Sequence, residues 1–561
     1  MGALRVLIRV VLLMVAPVAA LAALDTNSKP PEGIQNTTAT LADVMALNAK
    51  AVGKQLDSIA SGVEEWSFRS GGMDITERTL WKGRDFKTTT MHGLLSTQRG
   101  RIAGVHWLQT YNGFTVIMGG VHPEGDNLEE AMSSARAGKP GDAVTLLGEV
   151  TSPVAAFIVQ VRPVGDPPTW LFYDKSSGLL VRAESVFNNV RTTTTYSEFK
   201  TFSGAVVATI EKETNGESAY DFERQLSSLR LNVPVQGSDL NIPPSRQGLV
   251  EFPAGSTSAK LPVKMPIPGS IVRVLDQDYT LPVGALRDHI TVRVTINGRG
   301  LDFFLDSGAS GILLDKEVAD QLGLKQYSAC CQAYGGPVGA TFAVVPEMHI
   351  GDLTMKNFIA YARPFGSQMY EPEKVVGLLG YDFIASVGLK IDWDKGEVIA
   401  YPPGTMRMPD NGVTIPIRLD DLVPDIDVSV GDIYSERFIL DTGSSTVLIF
   451  PAFVARHPAE LKDQGLGREQ QLYIPDLYLA TVGGPAKAYP VQVRRLMFGV
   501  PFSEFVVLVV DPGSRFQFQD TDGLIGYNFL HYFNLYFDYP DSRIVLEPDV
   551  DYQKARHIPN K

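Results

Sequence analysis

The first strong hydrophobic pattern in the chain has a helical period. Between residues 41 and 59, apolar side chains recur every three or four positions. Thr40 directly precedes this segment, and Asp43 follows three residues later, which is the arrangement of a helix N-cap and its reciprocal side-chain partner. The pattern predicts an amphipathic helix that begins after Thr40.

The pattern then changes to short segments in which apolar and polar residues alternate. Such segments, bounded by Gly, Asn, Asp or Pro, are typical of antiparallel strands. The predicted strands are residues 75–81, 101–111, 114–118, 155–161, 170–173, 178–184, 192–199 and 205–212, with a second helix near 127–137. Residues 23–232 are therefore predicted to form a β-rich accessory domain with an opening helix. Seven prolines between residues 233 and 269 then predict a linker or surface strap, which we place at 233–275.

The N-terminus has the features of an export signal. Two arginines precede an apolar run at residues 10–21, and Ala20-Leu21-Ala22 fits the small-residue rule for cleavage. Pro17 interrupts this run, which is shorter than the ~20 residues of a membrane-spanning helix. We predict that residues 1–22 are a signal peptide, that the mature chain has no transmembrane span, and that it is periplasmic or secreted.

Composition narrows the classes of function. Among the 561 residues, 50 Lys and Arg stand against 63 Asp and Glu, a formal net charge of −13, so a nucleic acid partner is not expected. The two cysteines, Cys330 and Cys331, are adjacent and cannot build a disulfide framework. The eight histidines include no pair at metal-ligand spacing, and the sequence has no phosphate-binding loop or serine nucleophile elbow. We therefore expect no metal and no cofactor.

The second half of the chain contains an internal repeat. Residues 301–310, with an Asp-Ser-Gly motif, match residues 437–445, with an Asp-Thr-Gly motif. Other matched pairs are residues 335–337 with 483–485, 377–384 with 523–530, and 389–393 with 535–539. The order of these segments is the same in both copies, which indicates that two similar units follow each other in the chain.

The repeated residues point to acid–base chemistry. An Asp on a turn after an apolar strand is held rigidly, a neighbouring Ser or Thr can bond backbone groups, and Gly permits close approach. Two such loops placed face to face would bring Asp306 and Asp441 together, so that their carboxyl groups share a proton. The ionised carboxylate could then activate a water while the protonated one polarises a peptide carbonyl. The pattern predicts peptide hydrolysis with Asp306 and Asp441 as catalytic residues.

This half resembles the pepsin and retropepsin class of aspartic peptidases, and we interpret residues 276–405 and 406–561 as two fused retropepsin-like lobes. The resemblance implies a mainly β fold, with a two-lobed, barrel-like aspartic-peptidase part after the antiparallel β-rich domain and its N-terminal helix. It also implies a hairpin flap over the cleft, with candidates at 327–342 and 473–489. The resemblance assigns support of the dyad to Ser307, Gly308, Thr442, Gly443, Leu379, Gly380, Ile525 and Gly526, and substrate-binding flaps to Tyr334, Gly335, Gly336, Gly483 and Gly484.

Two alternatives stay open at this point. A catalytically silent module of the same fold would keep these motifs and only bind peptides. The N-terminal domain resembles periplasmic lipoprotein-carrier-like domains, so an apolar-ligand or lipoprotein carrier is the other alternative. The expected partner of the peptidase is a peptide or protein substrate, and we expect a monomer because both lobes lie in one chain.

Overall fold

The structure is a computed structural model of the whole chain. It describes residues 29–53, 59–70, 73–118, 126–139, 141–162, 168–187, 190–216, 221–266, 270–274, 277–281, 289–333, 336–365, 375–419, 422–463, 478–481, 484–511, 521–550 and 552. The predicted signal peptide lies outside these residues. The chain forms two compact units, an N-terminal unit of residues 1–245 with 328–332 and a C-terminal unit of residues 246–327 with 333–561. Within the described ranges, no helix has the length and apolar character needed to cross a bilayer.

In the described residues, the N-terminal unit is an antiparallel sheet with two α-helices. The helices are α1 (Leu41–Val52) and α2 (Asp126–Arg136). The strands are β1 (Ser61–Ser70), β2 (Met73–Lys82), β3 (Asp85–His92), β4 (Leu95–Ile102), β5 (Val105–Gln109), β6 (Thr115–Met118), β7 (Val144–Val150), β8 (Ala156–Val161), β9 (Thr169–Asp174), β10 (Leu180–Phe187), β11 (Val190–Phe202), β12 (Ala205–Thr214) and β13 (Phe222–Leu231). Their order in the sheet is β6-β5-β4-β3-β2-β1-β13-β12-β11-β10-β9-β8-β7, so neighbours in the chain are mostly neighbours in the sheet. The prediction of a mainly β fold with an N-terminal helix is confirmed.

Local sequence explains where α1 begins and ends. The Thr40 hydroxyl accepts the N–H of Asp43 at 3.2 Å, and the Asp43 carboxylate accepts the N–H of Thr40 at 2.8 Å, which is the predicted reciprocal cap. The helix ends at Val52, before the predicted end at residue 59, because Gly53 follows with a φ of 91°. Its apolar face packs into a core that includes Val44 and Met45.

The predicted strand at residues 101–111 was wrong as a single element. A tight turn separates β4 from β5, with Ala103 at a φ of 50° and Gly104 at a φ of 85°. Asp85 stabilises this turn, because its carboxylate accepts the N–H of Ala103 at 2.9 Å. Gly104 was the local turn signal, and the strand prediction passed over it.

The proline-rich segment after β13 is ordered over much of its length, and its two parts belong to different units. In the N-terminal unit, a short 3-10 helix, Gly237–Leu240, buries Leu240, and the Ser245 hydroxyl accepts the N–H of Thr115 at 3.1 Å. In the C-terminal unit, Arg246 donates to the carbonyl oxygens of Lys356 and Asn357 at 3.0 and 3.1 Å. Four strands then follow among the described residues up to residue 275.

The C-terminal unit is built from several sheets. Its strands are β14 (Val250–Glu251), β15 (Ala259–Lys260), β16 (Val263–Lys264), β17 (Ser270–Val274), β18 (Gln277–Leu281), β19 (Thr291–Ile296), β20 (Arg299–Leu305), β21 (Ile312–Asp315), β22 (Lys325–Ala333), β23 (Gly336–Ile350), β24 (Leu353–Arg363), β25 (Val375–Leu379), β26 (Gly388–Asp392), β27 (Glu397–Tyr401), β28 (Val413–Pro416), β29 (Asp425–Val430), β30 (Ile433–Leu440), β31 (Leu448–Ile449), β32 (Tyr478–Thr481), β33 (Gly484–Phe498), β34 (Val500–Val510), β35 (Gly523–Ile525), β36 (Phe533–Asp538) and β37 (Arg543–Pro548). Its short helices are α3 (Lys316–Gln321), α4 (Tyr381–Ile384), α5 (Pro451–Arg456), α6 (Pro458–Asp463) and α7 (Tyr527–Leu530).

The two copies of the sequence repeat have the same strand pairings. In the first copy, β20 runs parallel to β25, and β21 is antiparallel to β25 and parallel to β24. In the second copy, β30, β35, β31 and β34 pair in the same directions. The first copy belongs to a nine-stranded sheet and the second to a seven-stranded sheet. Each repeat therefore places the loop after β20 or β30 beside the strand that carries its apolar-apolar-Gly segment.

A six-stranded sheet joins the two repeats, in the order β15-β27-β26-β36-β37-β28. At its centre β26 and β36 are antiparallel, and Lys390 lies opposite Tyr536, its own counterpart in the repeat. Leu389 lies opposite Phe537, which is the counterpart of Ile391. Ile391 lies opposite Leu535, which is the counterpart of Leu389. This self-complementary register is the pattern of a local twofold axis between the two matching strands.

Candidate active site

Each motif aspartate lies on a loop directly after a buried strand. Asp306 follows β20 and Asp441 follows β30. The backbone N–H of Asp306 donates to the carbonyl of Leu379 at 3.0 Å, and that of Asp441 donates to the carbonyl of Ile525 at 3.0 Å. The second motif element of each repeat therefore holds the first, because its strand fixes the backbone on which the carboxyl group is mounted.

The hydroxyl residues of the two motifs brace each other across the repeats. The Ser307 hydroxyl donates to the carbonyl of Leu440 at 2.8 Å and accepts the N–H of Thr442 at 3.0 Å. The Thr442 hydroxyl donates to the carbonyl of Leu305 at 2.8 Å and accepts the N–H of Ser307 at 2.9 Å. Both side chains are buried. These four bonds tie the two loops together at Ser307 and Thr442.

The motif glycines lie against the opposite aspartate. A Cβ atom on Gly308 would stand 2.5 Å from Cγ of Asp441, and one on Gly443 would stand 2.5 Å from Cγ of Asp306. The N–H groups of Gly308 and Gly443 donate to the carboxylates of their own loops at 2.9 and 2.8 Å. Glycine is thus required because two carboxyl groups and two loop backbones occupy this small space.

Close packing also explains the glycines that end the apolar segments. Gly380 and Gly526 have φ values of −103° and −111°, which other residues also adopt. A Cβ atom on Gly380 would lie 2.3 Å from the carbonyl oxygen of Ala309, and one on Gly526 would lie 2.4 Å from that of Thr446. These glycines therefore let the β25 and β35 ends pass directly behind the two loops.

The carboxyl groups of Asp306 and Asp441 are in hydrogen-bond contact, and both side chains are half-buried. Burial raises the pKa of Asp306, although hydrogen bonds from Asp441 and the loop backbone offset part of this effect. Burial raises the pKa of Asp441 well above its usual range, and the charge of Asp306 raises it further. Two carboxyl groups in contact cannot both ionise at low cost, so the pair holds one proton over a range of pH.

A buried arginine makes the surroundings of the two aspartates unequal. Arg363 is the last residue of β24, its side chain is 4% exposed, and its guanidinium lies 5.1 Å from the centre of the Phe365 ring. Its positive charge lowers the pKa of Asp306 and so opposes the effect of burial. β24 and β34 are matching strands, because β21 and β31 pair with them in the same direction. In this alignment Val510 of the second repeat matches Arg363. The positive charge near the dyad thus comes from the first repeat.

Two aromatic residues pack against each other near the dyad. Tyr381, which follows Gly380, packs against Tyr539 with ring centres 5.9 Å apart. Burial raises the pKa of Tyr539 well above its ordinary value, and Tyr381, Asp306 and Asp441 add to the shift. Both phenols therefore stay neutral near a pair of carboxyl groups that carries negative charge.

The predicted flap residues are only partly described. Tyr334, Gly335 and Gly483 lie outside the described residues. Gly336 is the first residue of β23, which lies beside β22, and Gly484 is the first residue of β33, which pairs with β32. Hairpin strands thus flank both candidate flap positions, and a contact between these residues and a substrate stays a prediction.

The sequence alone did not identify His289, Arg363 or Tyr539 as neighbours of the site. His289 lies just before β19, and its ring is bonded to the second motif loop. Tyr539 lies in a matched segment, where Trp393 is its counterpart in the first repeat. His289 and Arg363 lie outside both motifs, and neither has an equivalent of the same type in the other repeat. The one signal that could have marked them is that each occurs in one repeat and is absent from the matching position of the other.

The raised pKa of Asp441 predicts a pH-dependent stability. In the unfolded chain the group returns to its ordinary pKa of 3.8, whereas burial and Asp306 raise the pKa in the folded chain. Its contribution to the free energy of unfolding is thus present below pH 3.8 and is lost as the pH rises through the raised pKa. We expect this free energy to fall more steeply with rising pH in the wild type than in Asp441→Asn, measured by denaturant unfolding at a series of pH values.

The exposed residue Asp352 provides the control for this measurement. Asp352→Asn should follow the wild-type dependence on pH. Parallel curves for the wild type and Asp441→Asn would contradict the raised pKa of Asp441.

Comparisons with known proteins bear on the first repeat. Residues 292–383 match the family model described as aspartyl protease, and this segment contains Asp306 and Gly380. The match covers the first repeat from β19 to α4 and does not extend to the second. The comparison with curated proteins returns no match.

Three solved structures show distant likeness. A DUF1329 family protein from Desulfovibrio piger is 14% identical, with a TM-score of 0.27, over 36% of this chain and 100% of its own. A putative outer membrane lipoprotein-sorting protein domain from Vibrio parahaemolyticus is 13% identical, with a TM-score of 0.25, over 32% of this chain and 89% of its own. A LolA superfamily protein from Nitrosomonas europaea is 10% identical, with a TM-score of 0.27, over 36% of this chain and 98% of its own. Scores this low carry no functional argument.

Proposed function

We propose that the C-terminal unit is an aspartic endopeptidase whose two repeats are fused retropepsin-like lobes. The observation that carries this proposal is the contact between the carboxyl groups of Asp306 and Asp441, which the reciprocal bonds of Ser307 and Thr442 hold in place. Two carboxyl groups that share one proton are suited to activate water and to polarise a carbonyl. The family match at residues 292–383 supports the same reaction class.

The unequal surroundings of the dyad support a division of roles. Asp306 is the ionised member, because the charge of Arg363 opposes the effect of burial on its pKa. Asp441 is the protonated member, because burial and the charge of Asp306 both raise its pKa. The two groups nevertheless titrate as one coupled pair.

The reaction follows from these protonation states. Asp306 takes a proton from a bound water as the water oxygen bonds to the carbonyl carbon, and Asp441 gives its proton to the carbonyl oxygen. In the resulting tetrahedral diol, Asp441 takes a proton back from one hydroxyl while the C–N bond breaks. Asp306 then gives its proton to the amine nitrogen, so both groups return to their starting states without a covalent intermediate.

The substrate is a peptide or protein, and one chain supplies both carboxyl groups, which supports action as a monomer. Export of the mature chain rests on the sequence of residues 1–22. The proposed sites of substrate contact beyond the dyad are Tyr334, Gly335, Gly336, Gly483 and Gly484.

The carrier alternative for the N-terminal unit stays a hypothesis. This unit buries both an apolar cluster, which includes Trp81 and Leu171, and a charged cluster. Arg224 donates from Nε to Glu211 at 2.7 Å, approaches Glu77 to 3.9 Å, and lies 4.8 Å from the centre of the Trp66 ring. Burial also raises the pKa of Glu213, beside this cluster, to about 7.

The test of the peptidase is cleavage of a diverse peptide library by the mature chain between acid and neutral pH. We expect cleavage of internal peptide bonds. We also expect inhibition by a peptide in which a hydroxyl-bearing tetrahedral carbon replaces the scissile carbonyl, since it mimics the diol. Binding of this peptide without any cleavage would favour the silent module, and neither binding nor cleavage would contradict both functions.

A further inference from the structure

A histidine of the first repeat is bonded to the motif loop of the second. His289 is buried, and its Nε2 donates to the carbonyl oxygen of Gly443 at 2.8 Å, although 154 residues separate the two in the chain. Its ring stacks on Phe304 with ring centres 4.6 Å apart and an interplanar angle of 25°. The stacking fixes the ring plane, so the donor stays directed at the loop.

The second repeat has no equivalent of this bond. The residue before the motif aspartate is Leu305 in the first repeat and Leu440 in the second. The N–H of Leu305 donates to the carbonyl of Ile290, and the N–H of Leu440 donates to the carbonyl of Pro424. The residues before these two, His289 and Val423, therefore occupy matching positions. Val423 is buried in an apolar cluster and has no side-chain donor. The two loops match in the bonds of the dyad but differ at this position.

The bonded loop is in contact with both carboxyl groups. The N–H of Gly443 donates to Asp441, and the space that its Cβ would need is occupied by the carboxyl group of Asp306. A hydrogen bond at the carbonyl of Gly443 therefore restrains the residue whose N–H bonds Asp441 and whose Cα lies against the carboxyl group of Asp306. Displacements of about 1 Å in such a site can lower a rate by about 10²-fold.

We propose that His289 is a positioning residue of the dyad, which fixes the second motif loop through Gly443 and makes the two aspartates inequivalent. The expected effect of His289 on catalysis rests on the peptidase function proposed above. His289 acts through the loop, so it alters the orientation of the dyad and leaves substrate affinity unchanged. A donor at this position is required, whereas a charge or an aromatic ring is not.

Three variants of the mature chain test this proposal. His289→Leu keeps the buried volume and removes the donor, and we expect kcat to fall about 10- to 100-fold with KM within about twofold of the wild type. His289→Gln keeps an N–H donor, and we expect it to recover most of the lost kcat. Val423→Leu changes the matching position of the second repeat, and we expect wild-type kcat. An unchanged kcat in His289→Leu, or an equal loss in His289→Gln and His289→Leu, would overturn the proposal.

Hydrogen exchange provides a readout that does not need catalysis. We expect His289→Leu to speed amide exchange in residues 442–446 and to leave residues 307–311 at the wild-type rate, with His289→Gln close to the wild type in both loops. Equal acceleration in both loops would indicate a general loss of packing and would overturn the role of His289. If the wild type cleaves no peptide, the peptidase function fails, and the exchange result still decides whether His289 anchors the loop.

Discussion

Replacing either dyad aspartate by asparagine is expected to reduce peptide cleavage to background while the protein stays folded. Asn cannot take a proton from water or return one to the amine, so Asp306→Asn and Asp441→Asn each lose acid–base catalysis, which is worth about 10²- to 10⁴-fold in rate. Each substitution also removes one of two carboxyl groups held in contact, so neither should lower the unfolding midpoint at neutral pH. The measurement is kcat/KM on the best peptide of the library.

The matched control is Asp352→Asn, which changes an exposed aspartate of the same unit. We expect wild-type kcat/KM for this variant. Full activity in Asp306→Asn or in Asp441→Asn would refute a shared dyad, and a lowered unfolding midpoint in both would show that the carboxyl groups serve the fold.

The largest expected loss of stability comes from Thr442→Val. Valine has nearly the shape of threonine but no hydroxyl, so the N–H of Ser307 and the carbonyl of Leu305 lose their partner in a buried site. Each buried polar group without a partner costs about 1–3 kcal/mol, so the free energy of unfolding should fall by about 2–6 kcal/mol. The measurement is denaturant unfolding, with cleavage of the best peptide followed in parallel.

Thr442→Ser is the control, because it gives the second repeat the hydroxyl residue that the first already has. We expect this variant to keep most of the stability. Combining Thr442→Val with Ser307→Ala should cost less than the sum of the two single changes, since the two hydroxyls belong to one bonded network. An additive double variant would show that the two loops do not depend on each other.

Much of the local structure could be predicted from the sequence. The reciprocal cap of Thr40 and Asp43 depends on residues three positions apart, and the alternating strands depend on a period of two, so neither needs distant contacts. The turn at Ala103 and Gly104 was missed because the prediction passed over the turn signal of Gly104. The aspartates of the dyad could be named because each motif occurs twice, and the repetition marked the pair.

The inequivalence of the two aspartates could not be predicted in this way. Arg363 and His289 contribute charge and a hydrogen bond from the first repeat, whereas the matching positions of the second hold Val510 and Val423. These residues lie outside the motifs, and the motifs themselves are nearly identical. Only the arrangement of the strands brings such residues to one side of the dyad.

The sequence by itself determined which chemical groups the protein carries and which short segments hold them, because a motif of three residues and the strand before it are neighbours in the chain. The tertiary structure decided how these groups act together. Ser307 and Thr442 exchange their hydrogen bonds across 135 residues, and His289 bonds to a loop 154 residues away. No local preference specifies such contacts, since they join segments far apart in the chain that only tertiary pairing, such as that of β26 with β36, brings together.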